Sequence, residues 1–491
     1  MTAQPRSNLH EPGAKRLFRN SLYVTLGQGS VALLFATYIL AARILGGDGF
    51  GDFSLGLSIA TILLMLPAWG SNRYSSIMAA RDPERTESIL ATHLGLTIPL
   101  ALLYFPLVAG VAFLVSGETV VAWIAILLAV DLLAREFGNA LRLLFRVHGE
   151  YPLETVTAFG ERGSIVALTL AILFVSPDPV HLAAGFAGGR ILGAIATAIL
   201  FRRRVGRIRA RFAVREILEL FAAGTPIALR RGIGLVTFRV DMLFLGGMRP
   251  AREVGWYASI YTIMDGVLML PQAVNGGFGP TLSANFAAGR TDVVSRLYQR
   301  GLKYLLIIGL LLASILGVLS RSIVGIVFGE EYLSAAPALT ILSLSVVFLF
   351  LRSLATEILD NVDLRGAAVR IFAAGLILNV VLNAILIPPY GILGAAASTV
   401  ATEALLMVGM LRALARSGFP GHLFRQLRSL LPAIVAPLML MWWLDDLPFV
   451  ALSAAVPAYA AGLFLFRAWD QKDMELFWAL IARLRLRRRS G

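Results

Sequence analysis

Eight arginines lie inside long apolar stretches of this 491-residue chain, where a membrane-spanning helix would carry them into hydrocarbon. They are Arg43, Arg135, Arg162, Arg190, Arg230, Arg231, Arg239 and Arg352. A charge at the centre of a bilayer costs about 2.5–3.5 kcal/mol on insertion scales, so each must face protein, water or a ligand. The guanidinium group is permanently protonated and matches phosphate and carboxylate oxygens, so these residues predict an anion-binding site.

The densest group lies in the apolar stretch 217–245, with Arg230 and Arg231 near its middle and Arg239 about two turns later. Adjacent side chains on a helix point about 100° apart, so one carboxylate cannot easily serve both Arg230 and Arg231. Asp241 follows Arg239 by two residues and therefore does not face it. Asp265, in the next apolar stretch, is a candidate partner for one arginine.

A second group recurs on one face of a single helix, formed by Asp131, Arg135, Asn139 and Arg142. Asp131 and Arg135 can pair along that face, which leaves a structural ion pair and a ligand contact as alternatives. Arg43 ends its apolar stretch and can extend to the membrane surface instead of lining a site.

The glycines Gly185, Gly188 and Gly189 surround Arg190, as is typical of a close helix contact. Arg162 directly follows Glu161 near a predicted inner helix end.

The predicted substrate-binding residues are Arg43, Arg135, Arg230, Arg231, Arg239, Arg352 and Asn275. Asn275 belongs to a stretch interrupted by Pro271 and Pro280, and broken helices often flank binding sites in transporters. Candidate groups for coupling to H⁺ or Na⁺, with structural pairing as the alternative for each, are Asp131, Asp241, Asp265, Glu357 and Glu403.

Motifs for catalysis are missing: there is no P-loop, no metal-binding His/Glu spacing and no nucleophile elbow. We therefore predict no catalytic residue, metal or cofactor, and a protein that is not an enzyme. The chain has no cysteine, so disulfides and thiolate metal sites are excluded.

The helices that must position these residues are predicted from composition. The chain is 57% hydrophobic and 15% charged, against about 25% charged residues in soluble domains. Apolar stretches of about 20 residues recur along it, each long enough to cross a bilayer as a helix. We predict an all-α polytopic membrane protein with about fourteen spans, the first of them uncleaved. The spans are 22–44, 51–70, 88–115, 119–145, 154–175, 181–201, 217–245, 254–286, 303–328, 333–359, 367–388, 391–412, 429–444 and 449–467.

Positive charge is distributed unevenly between the two predicted sides. Of the 44 Lys and Arg residues, 33 lie in segments on the side of the N-terminus and 3 in the opposite turns. By the positive-inside rule, both termini are cytoplasmic. The net charge of +14 therefore indicates contact with the membrane surface rather than with nucleic acid. We expect a multi-pass protein of the bacterial inner membrane.

A long-range repeat predicts a duplicated unit. LMLP occurs at 64–67 and at 268–271, and Gly51 and Gly255 keep the same offset of 204 residues. Six spans lie on each side of a basic linker, so the copies form a parallel repeat related by a pseudo-two-fold axis. The predicted domains are a cytoplasmic tail (1–21), an N-lobe (22–201), the linker (202–216), a C-lobe (217–415), an accessory helix pair (429–467) and a tail (468–491). The last tail is basic and amphipathic, as suits a helix on anionic inner-leaflet lipids.

Six segments in a fixed order resemble a known family. They are Gly27-Gln28, AARILGGDGFGDFSL (41–55), FRVDMLFLG (238–246), VGWYASIYTI (254–263), FGEEYLSAAPALTILS (328–343) and IPPYGILGAAASTVATE (387–403). Together they resemble the polysaccharide-transport (O-antigen-type) flippases of the multidrug/oligosaccharidyl-lipid/polysaccharide exporter superfamily. The resemblance implies two six-helix lobes around a central cavity and alternating access. It also implies a lipid-linked oligosaccharide whose headgroup moves from the inner to the outer face.

That substrate fits the intramembrane arginines, because an undecaprenyl diphosphate carries negative charge that guanidinium groups bind. Polysaccharide polymerase machinery is a further candidate partner. Two alternatives in the same superfamily are a peptidoglycan lipid-precursor flippase and a cation-coupled multidrug antiporter. The antiporter would need unpaired acids in its cavity, and residues 22–42 of the first span carry no charge. A scaffold without transport would not explain eight buried arginines.

Overall fold

A computed structural model describes residues 31–69, 71–361, 364–466 and 468–469. The predicted N-terminal tail, Gly27-Gln28 and most of the C-terminal tail lie outside these ranges. So do the side chains of Arg230 and Arg231, although both residues belong to a described helix.

Nearly all of the described residues are helical, and none of them forms a strand. In the first half of the chain the helices are α1 (Val31–Leu63), α2 (Met65–Ala68), α3 (Ser71–Arg81), α4 (Thr86–Ser116), α5 (Thr119–Val147), α6 (Tyr151–Val175), α7 (Pro179–Arg204), α8 (Val214–Met248) and α9 (Ala251–Val267). In the second half they are α10 (Met269–Ala287), α11 (Thr291–Val318), α12 (Ser320–Phe328), α13 (Ala336–Asn361), α14 (Arg365–Tyr390), α15 (Ile392–Arg416), α16 (Leu423–Trp443) and α17 (Pro448–Leu465). Short 3₁₀ turns occupy Pro83–Arg85 and Glu330–Ala335.

Helix α1 contains the end of the first predicted span and the start of the second. The two parts meet at Gly46, whose φ of 70° and ψ of −177° are non-helical. A side chain is disfavoured at that φ, so glycine allows the kink there. The predicted ninth span, 303–328, is corrected: α11 ends at Val318 and α12 begins at Ser320. The break falls next to the short polar run Ser320-Arg321-Ser322, which apolar segments flank on both sides, so averaged hydropathy does not reveal it.

Ten helical stretches in the described ranges are long and apolar enough to cross a membrane. Helices α5 and α8, which carry several of the intramembrane charges, are not among them. The helix order is compatible with fourteen spans, and that number stays a prediction.

The first of two compact units ends at Thr262 and holds a close bundle of α5, α6 and α7. Glycines on α7 allow α6 to approach it. A Cβ added at Gly193 would lie 2.6 Å from Cα of Glu161, and one at Gly189 would overlap Cα of Ile165. Small residues four positions apart let membrane helices pack backbone to backbone. Helix α1 packs on this bundle, and α8 packs on α1 and α4.

Helix α1 and the part of α9 that belongs to the first unit meet through a pair of equivalent contacts. A Cβ at Gly51 would overlap the backbone oxygen of Ala251, and a Cβ at Gly255 would overlap that of Gly47. The residues Gly47 and Ala251 are separated by 204 positions, as are Gly51 and Gly255. The contact therefore has the symmetry that the sequence repeat predicts.

The second unit begins at Ile263. Helix α13 packs against α11 and α15, and α14 packs against α15. The predicted accessory pair, α16 and α17, packs on itself and on α11. The Tyr459 hydroxyl donates a hydrogen bond of 3.0 Å to the Ile307 carbonyl. The unit boundary lies within α9, whereas the predicted lobes meet at 202–216, and the division into six-helix lobes stays a prediction.

Candidate functional site

A buried ion network joins α5, α6 and α7. In α7, Arg190 Nε lies 2.8 Å from Asp131 Oδ1, and its Nη1 lies 2.7 Å from Glu161 Oε1. The second oxygen of Glu161 accepts from Arg142 Nη1 at 2.7 Å. Arg142 Nη2 donates to Asn139 Oδ1 at 2.8 Å. Two arginines and two carboxylates thus neutralise one another inside the bundle.

This network gives Asp131 a partner other than the predicted one. Asp131, a candidate for ion coupling, pairs with Arg190 on another helix and not with Arg135. Arg190, Arg142 and Glu161 were not recognised as one cluster, because residue spacing cannot show which separate helices meet. The glycines around Arg190 were the available signal, since they permit the approach of α6 that places Glu161 there.

Arg135 is left without a strong partner in the described part of the chain. Its side chain is 37% exposed, and its nearest carboxylate oxygen is Glu136 Oε1 at 3.7 Å. Glu136 is itself bound through Oε2 to Asn72 Nδ2 at 2.8 Å. A permanently charged, accessible guanidinium on a helix of the bundle can bind an anionic ligand.

Arg239 is surrounded by aromatic rings. Its Cζ lies 5.4 Å from the ring centroid of Phe238 and 5.7 Å from that of Tyr261. Ring faces attract a cation through their electrostatic quadrupole. The buried carboxylate of Asp241 accepts from the Tyr257 hydroxyl at 2.9 Å and also from the Tyr261 hydroxyl. Asp241 is thus held by two tyrosines as well as by its position on α8.

Tyr38 marks the place where these groups come together. The charges of Asp131, Arg190, Arg135 and Arg239 all act on it. Its ring packs 5.2 Å from that of Phe186. The structure therefore brings Arg135 and Arg239, predicted from different parts of the sequence, into one region of the first unit. Tyr38 is not among the predicted site residues. The sequence distinguishes it only as a tyrosine within an uncharged apolar run.

Arg43 is exposed, three residues before the kink at Gly46. That position agrees with either interpretation, extension to the membrane surface or a ligand contact.

In the second unit, a predicted substrate residue and a predicted coupling residue bind each other. Arg352 Nε lies 2.6 Å from Glu403 Oε2, and its Nη2 lies 3.3 Å from Oε1. The guanidinium carbon also lies 5.6 Å from the ring centroid of Phe372. Glu403 is buried, so the pair is a partly dehydrated ion pair.

The interrupted eighth span holds the remaining predicted residues. The structure breaks it at Leu268, between α9 and α10. Asn275 Oδ1 is buried without a hydrogen-bond partner among the described atoms. A Cβ at Gly279, one turn later, would lie 3.0 Å from Glu357 Oε1. Asp265 is exposed near the end of α9.

Two family models match the chain. The model described as "Polysaccharide biosynthesis protein" matches residues 17–286, and the model described as MatE matches residues 226–385. The first covers more than half of the chain and includes the buried network, Arg135 and Arg239.

Curated relatives match over part of their length. An uncharacterized membrane protein of Methanocaldococcus jannaschii is 35% identical over 190 residues, which is 38% of each chain. A probable flippase, AglR of Haloferax volcanii, is 30% identical over 183 residues, 36% of this chain and 38% of the relative. The chain thus matches 38% of the length of these relatives.

The fold is shared with a solved structure, that of the lipid II flippase MurJ in an inward closed conformation. The TM-score is 0.71 at 13% identity, over 91% of this chain and 99% of the other. At that identity the similarity concerns the fold. The chain is thus a multi-pass membrane protein and belongs to the polysaccharide biosynthesis protein family, within the multidrug/oligosaccharidyl-lipid/polysaccharide exporter superfamily.

Proposed function

We propose that this protein is an alternating-access flippase. It moves a lipid-linked oligosaccharide of the undecaprenyl-diphosphate type from the cytoplasmic to the outer leaflet. The product serves the synthesis of a surface polysaccharide such as O-antigen, exopolysaccharide or capsule. The family membership supports this proposal, as do the fold shared with a flippase and the relative described as a probable flippase.

The observation that carries the proposal is the contrast among the arginines of the first unit. Arg190 and Arg142 are neutralised by buried carboxylates, whereas Arg135 has only a distant one. The charges of Arg135 and Arg239 both lie within electrostatic range of Tyr38. Two fixed cations in one region suit a diphosphate, which offers several charged oxygens to guanidinium donors. We assign substrate binding to Arg135 and Arg239 first.

Further contacts are proposed for Arg230, Arg231, Arg352, Arg43 and Asn275. Arg352 is paired with Glu403. It can therefore bind an anionic group of the substrate only if that group displaces Glu403. That exchange would link substrate binding to the protonation of Glu403, or to a cation that replaces the guanidinium beside it. Asp131, Asp241, Asp265 and Glu357 remain candidates for coupling to H⁺ or Na⁺.

Neutralising single arginines tests the site. We expect Arg135→Gln and Arg239→Gln each to lower, at least tenfold, the transport of a fluorescent isoprenoid diphosphate sugar in proteoliposomes. The matched control is Arg296→Gln, which removes an exposed arginine paired with Asp292 on α11. It should keep normal transport. If both site variants insert normally and transport at the control rate, Arg135 and Arg239 are not substrate contacts.

A cation-coupled multidrug antiporter is the second candidate, favoured by the MatE match over residues 226–385. A cationic drug needs free carboxylates, yet Asp131, Glu161 and Glu403 are each paired with arginine. A peptidoglycan-precursor flippase would share the fold. Depletion of the protein distinguishes the candidates through the lipid-linked glycan that accumulates on the inner leaflet. No accumulation of any such glycan would favour the antiporter.

We further propose that the protein lies in the bacterial inner membrane with both termini in the cytoplasm. It also contacts a polysaccharide polymerase. Each follows from the predicted orientation and the proposed pathway.

A further inference from the structure

The segment that connects α7 to α8, residues 205–213 and here called the strap, is fixed to the start of α4. The backbone N–H of Arg207 donates to Glu87 Oε1 at 2.8 Å. The N–H of Arg211 donates to the Ala91 carbonyl at 2.9 Å. A Cβ added at Gly95 would overlap the carbonyl oxygen of Arg211. The strap is therefore a packed part of the first unit and not a free linker.

Apolar side chains of the strap pack against the helix bundle. Val205 and Ile208 pack against a buried cluster that includes Leu90, Phe145 and Phe201. Both side chains are half-buried, whereas the arginines beside them are exposed, so the strap has one apolar and one basic face.

The basic face begins in the last turn of α7. Its members, all exposed, are Arg202, Arg203, Arg204, Arg207 and Arg209. None of these guanidinium groups pairs with a carboxylate in the described ranges 31–69, 71–361, 364–466 and 468–469. Other exposed arginines nearby are neutralised, as Arg215 is by Glu219 at 3.1 Å. Five uncompensated cations within eight residues are thus held at one place on the surface.

We propose that the strap is a docking surface for the headgroups of anionic phospholipids on the membrane face where it lies, which the charge distribution predicts to be cytoplasmic. Clustered Lys and Arg beside membrane spans attract anionic lipids, and arginine forms paired hydrogen bonds with phosphate oxygens. Because the strap is already packed, binding a headgroup orders little additional backbone. The bound lipids neutralise the five arginines and stabilise the α4–α7–strap contact. This role is separate from the proposed transport substrate.

The experiment compares two fourfold variants of the full-length protein in detergent. The strap variant replaces Arg203, Arg204, Arg207 and Arg209 with Gln. The control variant replaces four exposed arginines of the second unit, Arg412, Arg416, Arg425 and Arg428, with Gln. It removes the same charge from the same predicted face, but from positions spread over a longer segment. The unfolding midpoint Tm is measured with phosphatidylglycerol and with phosphatidylcholine.

We expect phosphatidylglycerol to raise Tm more than phosphatidylcholine does. The strap variant should lose at least half of that difference, and the control variant should keep most of it. High salt should reduce the effect, because screening shortens the range of surface charges. A variant with Lys at the same four strap positions should keep most of the effect, and it serves as the fold control if the Gln variant is poorly folded.

Equal losses in the two Gln variants would overturn the proposal, since the effect would then follow net charge alone. The proposal would also be overturned if the Gln strap variant kept the full difference in Tm between the two lipids. A Lys strap variant that lost this difference would overturn it as well. Inorganic diphosphate provides the last comparison. If it replaces phosphatidylglycerol fully, the strap binds soluble phosphate groups and the assignment to lipid is wrong.

Discussion

At the scale of single residues, the intramembrane arginines fall into two groups that the sequence does not separate. Arg190 and Arg142 form a charge-balanced network with Asp131 and Glu161. Arg135 is accessible and only weakly paired. That such charges need partners could be predicted from the cost of burial. Which carboxylate serves which arginine could not, because the partners lie on different helices and the distances depend on packing.

The central position of Arg190 leads to a stability prediction. Arg190→Gln leaves Asp131 without a cation at hydrogen-bonding distance and leaves Glu161 with Arg142 alone. Removing one partner of a buried ion pair costs about 3–5 kcal/mol, so the variant should unfold at clearly lower denaturant concentration. Equilibrium unfolding in mixed micelles measures this change. Arg135→Gln is the matched control, because Arg135 lies in the same helix bundle. It should lower the free energy of unfolding by less than about 1 kcal/mol, as expected for an exposed ion pair.

Equal destabilisation by Arg190→Gln and Arg135→Gln would contradict the division into a structural and a ligand-binding arginine. In that case Arg135 would belong to the framework of the bundle.

At the scale of helices, hydropathy predicted the positions of most elements but not their joints. The predicted first two spans meet at the kink of Gly46, and the predicted eighth span is interrupted as its prolines suggest. The separation of α11 from α12 was missed, because the polar run Ser320-Arg321-Ser322 at the break is only three residues long and lies between two apolar segments. Backbone geometry at a joint depends on contacts such as Ser320 Oγ to Thr340 Oγ1 at 2.8 Å, which link distant residues.

The contact between α6 and α7 supplies a prediction with an internal control. A Cβ at Gly189 would overlap Ile165 Cα, whereas one at Gly163 on α6 meets nothing within 4 Å. Gly189→Ala should therefore force the helices apart and lower Tm. Gly163→Ala should leave Tm unchanged or raise it, because alanine favours a helix over glycine by up to about 1 kcal/mol. Thermal unfolding followed by circular dichroism compares the two.

A Gly189→Ala variant at least as stable as Gly163→Ala would show that the two helices do not depend on this close approach. The ion network would then need another explanation for its geometry.

At the scale of the whole molecule, composition and charge predicted the all-helical class and an orientation. The class is confirmed by the helices and by the fold shared with a flippase. Orientation has no counterpart in the packing of helices, because a helix bundle is equally stable with either face inward. It depends on the charges of the turns during insertion.

The absence of cysteine makes that orientation directly measurable. Thr119 is exposed at the predicted outer end of the fourth span, and Ser417 is exposed in a predicted inner turn. In intact cells, a membrane-impermeant thiol reagent should label Thr119→Cys and leave Ser417→Cys unmodified until the cells are broken. The reverse pattern would invert the assignment of every turn, and labelling of both before lysis would indicate an error in the number of spans.

The reciprocal contact between α1 and α9 bears on the evolutionary origin of the two repeats. Gly51 approaches Ala251 as Gly255 approaches Gly47, so each partner presents the same patch to the other. Such an arrangement is isologous, the kind found in two-fold symmetric homodimers. A half-length ancestor carrying one copy of this glycine-bearing segment would have met a second molecule of itself along the same surface. Gene fusion would then have made a subunit interface into an internal one, free to lose its symmetry one substitution at a time. Alanine at position 251, where the equivalent residue of the first copy is Gly47, is a difference of this kind.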